Sequence, residues 1–344
     1  MEIYKYHRLD NPPFPAGFMG IEIEAEGRHL LAPNMLPKNW KATKDGSLRG
    51  EAYEYLLAKP LSVTDLKASL VDFVKSSVEN GVEYKFSNRT SVHVHLNAYT
   101  MSIAEIANLL CMYYMFEEVL LNFCGDSRID NRFCLSFKNA FYIQDIIEKY
   151  LSFTDIWHLN ENLGKYSALN LAAIQSHGSI EFRAMRGTVD IDVLFPWIDV
   201  IQNLYKLSSE FNNPLAILNT PLDQLAETIF GEHSKKFLTN GWKDKVQYSL
   251  SIGAHLFNIL QKKYTADIER DKKVPAKEDR IKKAKKAVDM NALAAAPQLV
   301  IDAPGLANWH PDVRFGENGA FVMRVPDDFA INFGNVVNQV PGGM

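Results

Sequence analysis

The segment that decides the predicted fold and chemistry of this chain is Gly20-Ile21-Glu22-Ile23-Glu24. Apolar and acidic residues alternate along it, which is the pattern of a β-strand with one buried face. Residues two apart in a strand share a face, so the two glutamates point one way and the two isoleucines point into the core. Taken alone, this pattern is equally typical of a strand whose acidic face is solvated.

The same arrangement returns in two later segments. They are Ser91-Val92-His93-Val94-His95-Leu96 and Ser179-Ile180-Glu181-Phe182-Arg183. The first places His93 and His95 on one face, and the second does the same for Glu181 and Arg183. If the three strands lie in one sheet, their polar faces combine into an acidic, histidine-bearing surface that needs a cation to balance it.

The residue types on this surface favour a divalent metal. Carboxylates are preferred ligands of Mg²⁺ and Mn²⁺. A single histidine is more typical of a hydrogen-bonded core residue, but His93 and His95 lie together on one strand face. A zinc site is the competing interpretation. No cysteine lies close in sequence and the other candidates are glutamates, so we favour a mixed oxygen and imidazole site.

Three further residues are candidates for catalysis. Arg183 and Arg186 are predicted to supply forked donors to a transferring phosphoryl group. The alternative for Arg183 is an ion pair with Glu181 at the surface, worth less than about 1 kcal/mol. Asp45 precedes Gly46 and is a third candidate, although an Asp-Gly pair is also typical of a simple turn.

Length, composition and charge limit the function classes. The chain has 344 residues, 47% of them hydrophobic, and a formal net charge of −4. It can therefore bury a sizeable core, and it lacks the basic balance of a nucleic-acid-binding protein. We expect neither a signal peptide nor a membrane span. The three widely spaced cysteines are typical of a reducing compartment, so we expect a cytoplasmic protein.

The remaining periodicities divide the chain in two. We expect a catalytic unit over residues 1–265, with its motifs in 17–190 and a helical completion in 191–265. Residues 266–344 are predicted to form a charged linker and an extended tail, through which the chain could join a second copy or a partner protein. Strands are predicted at 18–27, 52–57, 91–97, 166–174 and around 179–183, and helices at 66–79, 103–124, 142–150, 193–211, 221–230 and 242–264.

Five short motifs occur in an order that resembles the amidoligase family, relatives of glutamine synthetase and glutamate–cysteine ligase. The resemblance covers about residues 17–190. The motifs are Gly-x-Glu-x-Glu from Gly20, Trp-x-x-x-x-Asp-Gly-Ser-Leu from Trp40 followed by a glutamate strand running into Pro-Leu, His-Val-His from His93, Tyr-x-x-Leu-Asn-Leu from Tyr166, and Glu-Phe-Arg-x-x-x-Gly-Thr from Glu181.

The resemblance implies an α+β fold like the glutamine synthetase catalytic domain, with a curved, mainly antiparallel sheet flanked by helices and a C-terminal extension. It places ATP and two or three divalent ions on the concave face. The implied metal ligands are Glu22, Glu24, Glu54, Glu181 and His93, while His95 lies nearer the nucleotide and Arg183 contacts phosphate. The second strand departs from the family pattern, which leaves the choice between Glu51 and Glu54 open.

The expected function is an ATP- and Mg²⁺- or Mn²⁺-dependent carboxylate–amine ligase that forms an amide or isopeptide bond through an acyl phosphate. Its substrates would be small-molecule or peptide carboxylates and amines, with no nucleic acid and no membrane involved. Two alternatives stay open. One is a metal-dependent hydrolase or phosphotransferase on the same acidic sheet, and the other is a non-catalytic binding or assembly protein that retains the fold.

Overall fold

The computed structural model describes residues 2–137, 166–253, 257, 258, 262, 313–315 and 321–323. The described strands are β1 Met19–Arg28, β2 Trp40–Thr43, β3 Ala52–Leu57, β4 Glu83–Lys85, β5 Ser91–Asn97, β6 Leu169–Asn170, β7 Ser179–Arg186, β8 Val313–Phe315 and β9 Phe321–Met323. The described helices are α1 Ile3–Tyr6, α2 Val63–Glu79, α3 Ile103–Cys124, α4 Ala173–His177, α5 Ile191–Glu210, α6 Pro214–Leu218, α7 Leu222–Phe230, α8 Ser234–Phe237 and α9 Trp242–Ile252.

Seven strands form one antiparallel sheet. The order is β2-β3-β1-β5-β7-β6, and β4 pairs with the far end of β1 beside β5. Helices flank this sheet, so the predicted α+β class with an antiparallel sheet is confirmed. The three strands that carry the alternating motifs, β1, β5 and β7, are neighbours within this sheet.

The apolar face of the sheet packs on a helical layer. Phe182 of β7 contacts Tyr113 of α3 edge to face, with ring centroids 5.8 Å apart, and its ring also lies 6.3 Å from Trp197 of α5. α3 is apolar on nearly every side because α5 and α9 cover it as well. It begins with a capping box, in which Glu105 and Ser102 satisfy each other's backbone N–H groups.

The segment before β7 differs from the prediction. The sequence predicts a strand over 166–174, directly before the Glu181 strand. β6 does pair with β7 but contains only two residues, and the helix α4 makes the connection. Gly178 ends α4 with φ +62°, and a Cβ there would lie 2.1 Å from the Tyr99 ring. Glycine is therefore needed both for the backbone conformation and for the close approach.

Some predictions fall outside the described residues. The helix expected over 142–150 lies there, as does most of the predicted linker and tail. Within the tail, β8 and β9 pair antiparallel. The boundary at residue 265 stays a prediction. Among the helices that the structure describes, none combines the length and the apolar character that crossing a membrane requires.

Candidate active site

Strand register brings the predicted polar residues together on one face of the sheet. Glu22 of β1 lies opposite His93 of β5, and Glu24 lies opposite Glu54 of β3. His95 lies opposite Glu181 of β7. Four strands therefore contribute to one continuous surface, because directly opposed residues in an antiparallel pair place their side chains on the same face.

This surface is buried. The four glutamates and two histidines are each between 1% and 5% exposed. A cavity of about 130 Å³ opens beside them, and its lining includes Glu22, Glu24, Glu54, His93 and Arg183. Because these residues are buried, the face is not a solvated acidic strand surface. Buried ionised carboxylates need counter-charges.

The first group of ligand atoms, here called the histidine cluster, consists of Glu22, His95 and Glu181. Each offers one ligand atom, and the three atoms lie within 4.8 Å of one another. His95 Nε2 is 3.0 Å from Glu22 Oε1 and 3.8 Å from Glu181 Oε1. His93 lies beside this cluster, with Nδ1 3.0 Å from Glu22 Oε2 and 3.4 Å from Glu181 Oε1.

The second group, here called the carboxylate cluster, consists of Glu24, Asp45 and Glu54. It meets the same 4.8 Å spacing. Asp45 reaches it from the loop between β2 and β3, where its carboxylate accepts hydrogen bonds from the Ser47 N–H and hydroxyl, both at 2.8 Å. Glu54 accepts a hydrogen bond from the Thr43 hydroxyl at 3.2 Å. Three carboxylates at this spacing supply the hard oxygen ligands of a divalent ion.

The hydrogen bonds of Ser91 reveal how His93 is oriented. Its hydroxyl donates to Glu24 Oε2 at 2.5 Å and lies 2.8 Å from His93 Nε2. When Glu24 is ionised, Ser91 gives its one proton to it, and Nε2 is then the donor in the second contact. A neutral His93 then directs the lone pair of Nδ1 toward the oxygens of Glu22 and Glu181. Lone pairs facing one another at 3.0 Å need a proton or a metal ion between them.

Two further atoms in the cavity have unmet hydrogen-bonding capacity. Glu22 Oε1 and Arg183 Nε are buried, and neither makes a well-aligned hydrogen bond with any residue in the described ranges, although His95 Nε2 lies 3.0 Å from Glu22 Oε1. A buried polar atom without a partner is costly, and such atoms are common where a ligand binds. The residues present therefore fit a cation near Glu22 and an anionic group near Arg183.

Three of the four buried glutamates of the site have raised pKa values, and Glu181 is the exception. Burial, reinforced by the charge of Glu181, raises the pKa of Glu22 well above its usual range. Burial together with Glu22 and Glu24 raises the pKa of Glu54 to about 9. Burial also acts on Glu181, but Arg183 and the two histidines outweigh it, and the pKa of Glu181 is lowered. Without a cation, the face therefore holds extra protons mainly on Glu22, Glu24 and Glu54.

Burial has the opposite effect on the imidazoles. It lowers the pKa of His93 well below the usual range, and the nearby Arg183 charge lowers it further. Burial likewise lowers the pKa of His95. Both rings are therefore neutral near pH 7, which is the form in which histidine ligates a metal.

Some of the candidate residues chosen from the sequence face the cavity and others do not. Glu54 rather than Glu51 faces the cavity, because Glu51 precedes β3 and is exposed. His95 rather than His93 groups with Glu22 and Glu181, although both rings lie within 3.0 Å of a Glu22 oxygen. Arg183 lines the cavity, and its Nη1 donates to Glu181 Oε1.

The prediction that Arg186 donates to a phosphoryl group is not supported by its position. Its Nη1 donates instead to the carbonyl oxygens of Phe123 and Cys124 at the C-terminus of α3, at 3.0 and 3.2 Å. These carbonyls have no partner within their helix, and a cationic donor is favoured there by the helix dipole. Arg186 is absent from the described lining of the cavity and acts on the helix end.

Sequence reasoning missed several supporting residues. Ser91 and Ser179 hydrogen-bond with the site histidines, and Asn170 donates to Glu181 Oε2 at 2.6 Å. Both serines stand two residues before a predicted site residue, so strand alternation could have placed them on the polar face. Arg89 and Phe133 also line the cavity but come from segments that carry no periodic signal, whereas Tyr166, a further lining residue, begins one of the five motifs.

Comparison with known proteins finds a protein-family model that matches the part of the chain carrying most of the site. Residues 42–205 match the family model described as putative amidoligase enzyme. The resemblance inferred from the motifs is confirmed. The amidoligase match includes Asp45, Glu54, the two histidines, Glu181 and Arg183. It begins after β1, but β1 is hydrogen-bonded to both β3 and β5, which lie inside the match.

The other comparisons are less informative than the amidoligase match. One similar solved structure is the crystal structure of the complex between the prokaryotic ubiquitin-like protein Pup and its ligase PafA, at 12% sequence identity and a TM-score of 0.33. The alignment covers 81% of this chain and 70% of that chain. Likeness at this level defines no shared activity. Comparison with curated proteins gave no match.

Proposed function

We propose that the chain is an ATP- and divalent-metal-dependent ligase that joins a carboxylate to an amine. The observation that carries the proposal is the meeting of four buried glutamates, two neutral histidines and Arg183 on one sheet face. Most of these residues lie within the amidoligase match. The carboxylate cluster and the histidine cluster would each hold a metal ion, with His93 Nδ1 supplying a further ligand atom.

Metal ions bound here would neutralise phosphate charge and supply Lewis acidity at the phosphoryl oxygens. The protein residues would do the rest. Arg183 has a buried Nε without an acceptor in the described ranges, and this N–H would donate to the phosphoryl group of ATP. Glu181 holds the guanidinium in place through Nη1, which leaves the rest of the fork directed at the ligand.

The reaction balances in two steps. A substrate carboxylate oxygen attacks the γ-phosphorus of ATP, the bond to ADP breaks, and an acyl phosphate forms. The amine nitrogen then attacks the acyl carbon, phosphate leaves and the nitrogen loses a proton. Asp45 is placed to accept that proton, because its carboxylate is oriented by Ser47 at the open, half-buried side of the cavity. Asp45 also belongs to the carboxylate cluster, so one of its oxygens would bind the metal ion and the other would accept the proton of the amine.

The test is ADP release in the presence of Mg²⁺, screened across amino acids, polyamines and peptides. A ligase sustains ADP release over many turnovers only when a carboxylate and an amine are both supplied, because the amine is needed to consume the acyl phosphate. Sustained ADP release without any amine would instead support the metal-dependent hydrolase or phosphotransferase. Absence of nucleotide binding in a folded protein would support the non-catalytic binding protein.

A matched pair of variants makes the screen specific for the site. Glu54→Gln removes a buried cavity carboxylate, whereas Glu51→Gln changes an exposed glutamate three residues away. We expect Glu54→Gln to lose most of the ADP release and Glu51→Gln to retain it. Equal activity in the two variants would reject the cavity as the site of the reaction.

A further inference from the structure

β7 contains a β-bulge at the position of Arg183. On β5, only His93 lies between Val92 and Val94. The residues opposite those two valines are Met185 and Phe182, so two residues of β7, Arg183 and Ala184, face one residue of β5. A bulge of this kind interrupts the ladder and redirects nearby side chains.

The bulge changes which residues of β7 face the cavity. Strict alternation from Glu181 would place Arg183 and Met185 on the polar face together. Met185 instead lies opposite Val92 and is fully buried in the core. The bulge therefore takes Met185 off the polar face and returns Arg186 to the position opposite Ser91. On the β5 side the ladder does not fix the backbone that directs Arg183, while on the other side the Arg183 N–H donates to the Ala168 carbonyl at 2.8 Å.

One buried side chain holds that backbone. Arg128 follows α3 as the last residue of the short 3-10 turn Asp126–Arg128 and is 0% exposed. Its Nη2 donates to the Arg183 carbonyl at 2.9 Å, and its Nε donates to the Ala184 carbonyl at 3.2 Å. The two acceptors are the two bulged residues, so the planar guanidinium bridges the irregular part of the strand.

An arginine is a costly choice for this position. Its charge is fully buried, and Nη1 has no hydrogen-bond partner among the residues that the structure describes. Buried charge without full hydrogen bonding lowers stability. The two carbonyls, however, are met by two separate donor nitrogens of one rigid plane, Nε and Nη2, whereas lysine or an amide side chain has a single donor nitrogen. This match of donor geometry to the bulge suggests that the arginine serves the site.

We propose that Arg128 is the positioning residue for Arg183. It fixes the bulged backbone so that the Arg183 guanidinium meets Glu181 Oε1 and faces the cavity. The importance of this for turnover rests on the proposed function, whereas the contact itself does not. Arg128 has no place in the described lining of the cavity and acts only through Arg183.

The first experiment compares two arginines that make the same kind of contact. Arg128→Lys removes the bridge over the bulge, and Arg186→Lys removes a comparable pair of bonds to the end of α3. We expect Arg128→Lys to lower kcat roughly 10- to 100-fold, because small misplacements of a reacting group cost this much. Arg186→Lys should keep its turnover. Equal turnover losses in the two variants would overturn the proposal.

A double-mutant cycle separates positioning from general damage. In an Arg183→Lys background, Arg128→Lys should lower kcat by less than about 2-fold further, because the group that it positions is already gone. Its effect on thermal unfolding should persist in that background. If the two losses of kcat multiply instead, Arg128 does not act through Arg183.

A measurement without turnover keeps this inference separate from the ligase proposal. Held by Glu181, the Arg183 guanidinium should give resolved Nη signals in ¹⁵N NMR spectra. These signals should broaden in Arg128→Lys and stay sharp in Arg186→Lys. If no substrate pair gives ADP release but the signals change as expected, the ligase proposal fails and the positioning role stands. Unchanged Arg183 signals in Arg128→Lys would overturn the positioning role even in an active ligase.

Folding failure of Arg128→Lys would not end the test. Arg128→Gln retains one donor nitrogen without the charge and is a smaller side chain, so it offers a second variant for the same spectra. In the unaltered protein, the guanidinium protons of Arg128 should exchange slowly with solvent because both carbonyl contacts are buried. Fast exchange of these protons would overturn the contact itself.

Discussion

Glu181 of the histidine cluster and Glu54 of the carboxylate cluster lie on the same face of the same sheet, yet the fold shifts their pKa values in opposite directions. In the first, Arg183 and Asn170 contact Glu181, and the pKa of that glutamate is lowered despite its burial. In the second, burial and neighbouring glutamates raise the pKa of Glu54 to about 9. The difference shows that burial alone does not decide ionisation, because one well-placed guanidinium reverses its effect.

This contrast suggests a division of work. In the histidine cluster, Arg183 keeps Glu181 ionised before any metal binds, whereas Glu22 holds a proton that a metal ion would displace. The carboxylate cluster has no comparable cation within its three ligands and would exchange protons for a metal ion. Each of the following predictions changes one side of this comparison, beginning with the largest expected effect.

Removing the guanidinium should have the largest effect. Arg183→Lys keeps the positive charge but loses the planar fork that can follow developing phosphoryl charge. A transition-state donor of this type is worth roughly 3–4 kcal/mol, so turnover should fall about 100- to 1,000-fold. ADP release measures the rate, and thermal unfolding with nucleotide titration checks that folding and much of the ATP affinity persist. Near-normal turnover would remove the phosphoryl role from Arg183.

The carboxylate cluster should respond in metal affinity. Glu24→Gln removes a ligand that Ser91 orients, and we expect divalent-ion affinity to fall roughly 10- to 100-fold. The cooperative binding of metal and ATP should weaken with it. Calorimetry with Mg²⁺ or Mn²⁺ measures both effects.

The control for this measurement is Glu26→Gln, on the same strand. Glu26 is only partly buried and accepts a hydrogen bond from the Arg49 backbone N–H, outside the cavity lining. The Glu26→Gln variant should bind the metal ion with the same affinity as the unaltered protein. Unchanged metal and nucleotide binding in Glu24→Gln would reject the cluster as a metal site.

Strand alternation was sufficient to predict most of the polar face. It placed Glu22, Glu24, His93 and His95 correctly because each pair lies in a regular strand with a buried opposite face. Alternation cannot tell which strands are neighbours or how they are aligned, so it could not sort these residues into two clusters. That sorting depends on the register, in which Glu22 meets His93 and Glu24 meets Glu54.

The position of Arg186 outside the cavity lining has a physical cause that strand alternation alone does not show. Two successive apolar residues, Ala184 and Met185, interrupt the alternation of β7 at the bulge. The partners of Arg186 are main-chain carbonyls of α3, more than 60 residues earlier in the chain. The bridging role of Arg128 is equally invisible, because it depends on two carbonyl groups that have no sequence signature of their own.

The smallest expected effect is on the stability of the metal-free protein. The folded state raises the pKa of Glu54 from 4.5 to about 9, so the folded protein keeps a proton that the unfolded chain releases. Stability from this group is therefore complete below about pH 4.5 and is lost as the pH rises through about 9. Glu54→Gln mimics the protonated acid. It should be close to the unaltered protein in stability near pH 5 and exceed it clearly at pH 8, because each pH unit between the two pKa values is worth about 1.4 kcal/mol.

Mg²⁺ should reverse the sign of this difference. A metal ion stabilises whichever protein binds it more tightly, and the unaltered protein offers the Glu54 carboxylate. Denaturant unfolding at pH 5 and pH 8, with Mg²⁺ and with EDTA, gives all four values, and exposed Glu51→Gln serves as the control that should shift in none of them. If Glu54→Gln is no more stable than the unaltered protein at pH 8 in EDTA, Glu54 is already ionised in the metal-free state. The contrast between the two clusters would then be wrong, because the carboxylate cluster would also hold its charge without a metal.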